Sequence, residues 1–95
     1  MEIKINEEAV NWYRKELQLE KGDYLRFYPR YGGVGGNIPG FSIGINTSKP
    51  IDIQAESNQD GITFYVEKED SWYFDEKNLI IDFDEQLKEP TFAYD

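Results

Sequence analysis

From Gly22 onward the chain alternates apolar and polar residues at a period of two, and no stretch of helical period interrupts the pattern. Leu25 and Phe27 alternate with Tyr24, Arg26 and Tyr28; Phe41, Ile43 and Ile45 alternate with Ser42, Gly44 and Asn46. Ile51 and Ile53 are spaced by Asp52, and Ile62, Phe64 and Val66 by Thr63 and Tyr65. A short run over Trp72 to Phe74 follows, then Leu79, Ile81 and Phe83 against Ile80, Asp82 and Asp84. Successive side chains of a strand point to opposite faces, so each run has one face to bury. Parallel α/β sheets need a helix between strands, and none is signalled here. The pattern therefore predicts an α+β, mostly β fold: an antiparallel sandwich or flattened barrel with one N-terminal helix.

That helix has its own signals. Asn6 suits an N-cap, Glu7 and Glu8 place carboxylates at the positive end of the helix dipole, and Ala9, Val10, Tyr13 and Leu17 recur at helical spacing. The spacing predicts a helix over Glu7 to Leu19 that ends near Lys21-Gly22. Turn chemistry at Ser57-Asn58-Gln59-Asp60-Gly61 and at Asp75-Glu76-Lys77-Asn78 predicts antiparallel hairpins. Pro90 is expected to end regular pairing ahead of the tail.

Composition closes off several chemistries. A chain of 95 residues is expected to form one domain over 1–95, and its 39% hydrophobic and 16% aromatic content is enough to fold. It contains no cysteine and no histidine. No disulfide can brace it, and thiolate or imidazole ligation of a metal or iron–sulphur cluster is excluded. Ser42, Ser48, Ser57 and Ser71 lack a histidine base and none sits in a Gly-x-Ser-x-Gly elbow, so a non-enzyme is expected. No apolar run approaches the roughly 18 residues of a membrane span and the start Met1-Glu2-Ile3-Lys4 has no signal-like apolar region, which predicts a cytoplasmic protein. The net charge of −9 is uneven: residues 67 to 95 hold ten acids against three bases, a balance of −7. Such a field disfavours nucleic acid and anionic membranes and favours basic partners.

The most unusual segment is Tyr31-Gly32-Gly33-Val34-Gly35-Gly36-Asn37-Ile38-Pro39-Gly40, with five glycines in ten residues. Consecutive glycines permit positive φ and close backbone approach, and their amides can form an anion-binding nest. No nucleotide motif fits: Ile38 stands where a dinucleotide fingerprint needs glycine, and Phe41-Ser42 where a P-loop needs lysine and a hydroxyl residue. Arg26, Tyr28, Arg30 and Tyr31 precede the loop, so a ligand-binding site for a carboxylate or phosphate is expected from Arg26, Arg30 and Tyr31 with Gly33, Gly35 and Gly36. The bland alternative pairs the arginines with the surplus acids.

The order helix, strand Leu25-Arg26-Phe27, loop Gly32-Gly33-Val34-Gly35-Gly36, strand Phe41 to Ile45, then Gly61-Ile62-Thr63-Phe64-Tyr65-Val66 and Leu79-Ile80-Ile81-Asp82-Phe83 resembles the HesB/IscA-like family of iron–sulphur cluster biosynthesis. The resemblance covers nearly the whole chain. It implies the compact HesB-like β-rich fold, bacterial iron–sulphur association and a tendency to self-associate. The family loop carries a cysteine where Val34 stands, and its Cys-Gly-Cys pair would follow where the chain reaches Asp95, so the metal residues do not transfer. The chain is most similar to the cysteine-free HesB-like branch of Gram-positive bacteria. The resemblance leads us to expect a non-catalytic accessory or interaction module without a cofactor of its own, acting through protein partners or self-association.

Two further features stay open between function and structure. Asp82, Asp84 and Glu85 either form an oxygen-ligated cation site or are the solvated face of an edge strand. Trp72, Tyr73 and Phe74 cannot all face inward from a regular strand, so one of them is expected either to anchor a partner or to pack under the tail.

Overall fold

The computed structural model describes residues 1–95. Seven strands and two helices follow in the order β1 (Ile3–Ile5), α1 (Glu7–Glu16), β2 (Tyr24–Tyr31), β3 (Phe41–Asn46), β4 (Ile53–Gln59), β5 (Ile62–Glu67), α2 (Ser71–Phe74), β6 (Leu79–Asp84) and β7 (Glu89–Tyr94). A 3₁₀ turn over Lys68–Asp70 leads into α2. The strands form two sheets, β1-β6-β7 and β3-β2-β5-β4, that face each other across the core. The α+β, mostly β sandwich expected from the alternation is the architecture found. No helix is long and apolar enough to cross a membrane.

Four details differ from expectation. The sheets are mixed: β1 runs parallel to β6 and β2 parallel to β5, with the remaining pairs antiparallel. Period-two alternation reveals which face of a strand is buried but not which distant strand lies beside it. Trp72 to Phe74 form the helical turn α2 rather than a strand, and Asp75–Asn78 leads from that turn into β6 instead of closing a hairpin. Pairing also continues past Pro90, which sits opposite Phe83. A missing N–H is tolerated there because β7 is an edge strand.

The fourth difference is the end of α1. Asn6 caps it as expected, its side-chain oxygen accepting from the Ala9 amide at 2.9 Å. The helix stops at Glu16, however, because Gln18 turns left-handed at φ 53° and the Leu19 amide donates back to the Arg14 carbonyl at 3.0 Å. This is a Schellman closure with glutamine in the position usually held by glycine, and buried Leu19 supplies its apolar contact. The hairpin between β4 and β5 turns on Asp60 and Gly61, both at positive φ, as the Asp-Gly pair predicts.

The core joins Leu25, Phe27, Ile62, Phe64 and Val66 of one sheet to Leu79 and Ile81 of the other, with Val10 and Tyr13 of α1 and Tyr73 and Phe74 of α2 closing its ends. Strand β5 is buried on both faces. Its outward residues Tyr65 and Glu67 lie beneath the β3–β4 connection: the Tyr65 hydroxyl donates to the Ser48 carbonyl at 2.5 Å, and the Glu67 carboxylate accepts from the Ile51 and Asp52 amides at 3.0 Å each.

The two polar anchors differ in burial, and their removal should differ accordingly. Asn6→Ala should cost about 1 kcal/mol, the usual value of an N-cap. Glu67→Ala should cost about 1–3 kcal/mol, because it leaves two amides without their acceptor. Urea unfolding checks both, with unchanged m-values separating lost stability from altered compactness. Alkali should also unfold the protein. Burial raises the Tyr13 hydroxyl above its usual 10.0, so folding favours the neutral phenol; that stability is present below pH 10.0 and is lost as the pH climbs beyond it. Tyr13→Phe should flatten this alkaline limb in a stability–pH series.

Candidate functional site

The expected ligand site does not assemble as one cluster. Arg26, Tyr28 and Arg30 share the outer face of β2, whereas Tyr31 falls on the inner face opposite Phe41. At roughly 3.3 Å per residue, Arg26 lies about 17 Å along the strand from Tyr31 and the loop. Its guanidinium is already engaged: one nitrogen donates to Asp70 at 2.7 Å and to Glu69 at 3.0 Å, and the group lies over the Tyr28 ring at 5.6 Å. Desolvation opposes the charge, yet the hydrogen bond and field of Asp70, followed by those of Glu69, hold the Arg26 pKa above its ordinary value. The Tyr28 ring in turn fills the space over Gly44, where a Cβ would meet it at 2.5 Å. Arg26 thus ties β2 to the segment before α2.

The glycine loop is fastened from below. The Tyr73 hydroxyl accepts from the Asn37 amide at 2.6 Å, and the Asn37 side chain donates to the Tyr73 carbonyl at 2.8 Å. Lys77 reaches the same side chain at 3.2 Å. Burial, followed by a hydrogen bond to Tyr73, pushes the neighbouring Tyr94 hydroxyl above its usual pKa. Gly33 and Gly35 adopt φ of 77° and 84°, and Gly33 lies against the Ser42 side chain. At Gly36 an added Cβ would strike the Phe41 carbonyl and the Tyr73 hydroxyl. Val34, at the tip of the loop, is 92% exposed.

What the loop does gather is aromatic surface. Tyr31, 87% exposed, meets Phe41 edge to face at 5.6 Å, and Phe41 meets Trp72 at 5.7 Å. Trp72 is the one aromatic of its run that points outward, at 55% exposure, while Tyr73 and Phe74 are buried. It walls a cleft of about 570 Å³ together with Met1, Gln54, Ser71, Asp75 and Glu76. The alternation marked Phe41 as strand, but its meeting with Trp72 depends on the turn that became α2.

The carboxylate strand is dispersed. Asp84 accepts from the Gln86 and Leu87 amides at 2.8 and 3.0 Å and so shapes the β6–β7 turn. Glu85 shares a hydrogen bond with Glu8, which raises Glu8 and lowers Glu85. No group of three or more Asp, Glu, His or Cys side chains has the geometry to hold a metal ion.

The two loop glycines should respond differently to alanine. Gly35 opens onto empty space, so Gly35→Ala should cost only the strain of a left-handed residue, roughly 1–2 kcal/mol. Gly36→Ala should cost more, because the new methyl displaces the Phe41 backbone or the Tyr73 anchor. Thermal denaturation of both variants tests the order.

The aromatic surface and closed loop can be set beside known proteins. The chain matches the iron-sulphur cluster biosynthesis family over residues 1–95. It is 45% identical over 94 residues to a pyruvate dehydrogenase inhibitor of Bacillus subtilis, with 99% of each chain covered. It is 36% identical over 96 residues to an uncharacterized protein of Staphylococcus saprophyticus, and 30% identical over 96 residues to one of Staphylococcus aureus, each with 98% of both chains covered. No solved structure matches it. With a match spanning the whole sequence and not one cysteine in it, the chain belongs to the iron-sulphur cluster biosynthesis family as a HesB-like member without thiol ligands.

Proposed function

We propose that this protein is a non-catalytic, HesB-like inhibitor that acts by binding pyruvate dehydrogenase. The observation that carries the reading is the 45% identity to the Bacillus subtilis inhibitor over 99% of both chains. The residues of this chain are consistent with it. A cluster carrier needs soft ligands, and the chain has no cysteine or histidine to offer. A catalyst needs a positioned base or nucleophile, whereas Arg26 is spent on a fold contact with Asp70. A protein-binding role needs exposed anchors, and Tyr31 and Trp72 are of the residue types that concentrate binding energy. Any accessory role in iron–sulphur metabolism would then run through partner proteins, as membership of the family supports.

The test is titration of the purified protein into the Bacillus subtilis pyruvate dehydrogenase complex while NADH formation is followed. The expected result is saturable loss of rate with co-sedimentation of the two. Full activity at a large excess of the protein, with no association, would sink the reading.

A further inference from the structure

Of the four outer strands, three are defended against further pairing. β1 is three residues long with Lys4 at its centre, β4 carries Glu56 and a register break between Ile53 and Ala55, and β7 begins with Glu89 and Pro90. Short length, charge, bulges and proline are the devices by which edge strands avoid joining another chain. β3 has none of them. Phe41-Ser42-Ile43-Gly44-Ile45-Asn46 contains no charge and no proline, and it pairs with β2 in unbroken register from Tyr31↔Phe41 to Arg26↔Asn46. Apart from that ladder, residues 42–46 make no backbone hydrogen bond, so the outward amides and carbonyls of the edge are free.

Beside the edge the sandwich is open. Trp12, Ile43, Ile45, Pro90 and Phe92 line a groove of about 290 Å³ whose only charged lining residue is Glu89. At the other end of β3, Phe41 meets the exposed Trp72 ring at 5.7 Å, while the cleft that Trp72 walls with Asp75 and Glu76 opens away from β3, against Gln54 of β4 and Met1. The apolar strip along β3 therefore has an acid at one end and an exposed tryptophan at the other.

The geometry points to β3 as the docking edge for an extended segment of the protein partner, added as a fifth strand to the β3-β2-β5-β4 sheet. This rests on the partner-binding reading above and specifies its surface. The segment's backbone pairs with β3, and every second side chain, apolar, drops into the groove over Ile43 and Ile45. Lysine or arginine at one end of the segment meets Glu89, and at the other it meets the exposed face of Trp72, a ring that attracts cations.

Hydrogen–deuterium exchange of the wild-type protein, alone and with the Bacillus subtilis pyruvate dehydrogenase complex, tests this directly. The complex should slow exchange of the 42–46 amides by about tenfold or more, as newly paired strands do. A complex that forms while protecting other segments and leaving β3 unchanged overturns the inference but not the function. Failure of the wild type to associate removes the function and the inference with it. Concentration-dependent protection of β3 in the protein alone assigns the edge to a second copy and overturns it too. As a second readout, Ile43→Lys, confirmed folded by circular dichroism, should weaken inhibition by about tenfold, the effect of losing one interface anchor. Inhibition unchanged in that variant counts against the docking edge.

Discussion

The fold depends on β5. In a sheet ordered β3-β2-β5-β4, the chain leaving β3 must pass over two strands to reach the far edge, and residues 47–52 make that passage across the outer face. Crossing three strand spacings is about 14 Å, within the roughly 20 Å reach of six extended residues. A bare backbone laid over a sheet has amides and carbonyls to satisfy, and β5 meets the Ile51 and Asp52 amides with Glu67 and the Ser48 carbonyl with Tyr65 while Ile62, Phe64 and Val66 serve the core beneath. A strand that would ordinarily show one polar face is therefore buried on both. The parallel contact with β2 and the antiparallel contact with β4 meet on this one element.

Much of the sandwich was legible from the chain. Alternation located the inward residues of β2, β5 and β6, and the Asp60-Gly61 pair identified its hairpin, because these signals are local. Partner choice was not legible: nothing in Ile3 to Ile5 says that Leu79 to Ile81 will lie alongside. Three aromatics in a row carry no period, so Trp72 to Phe74 were equally compatible with strand and helix until packing decided. The residues of the candidate site are spread apart for a related reason. Arg26 and the glycine loop are near in sequence, but a strand carries them about 17 Å apart and turns Tyr31 to the other face. Tyr73 holding Asn37 joins residues distant in the chain, and no spacing rule anticipates it.

Without a thiol to present, the loop has a structural task. In the family resemblance the loop exists to present a thiol; here its apex carries exposed Val34, and its base is clamped to Tyr73 through both backbone and side chain of Asn37. The clamp fixes Phe41 at the start of β3 and so holds the aromatic path from Tyr31 to Trp72 in place. A loop clamped in this way is rigid, with its conformational entropy already spent before anything binds it.

Asn78 gives the molecule a property that no single strand has. Its side chain accepts from the Glu2 amide at 2.8 Å, and its backbone exchanges hydrogen bonds with Asp95. Glu2 and Asp95 are thus both held at Asn78, close together in space. A short linker between them would let the chain be opened elsewhere, for instance at the exposed Asp60 turn, with every strand pairing kept. The order in which strands are made could then be changed without changing what they make.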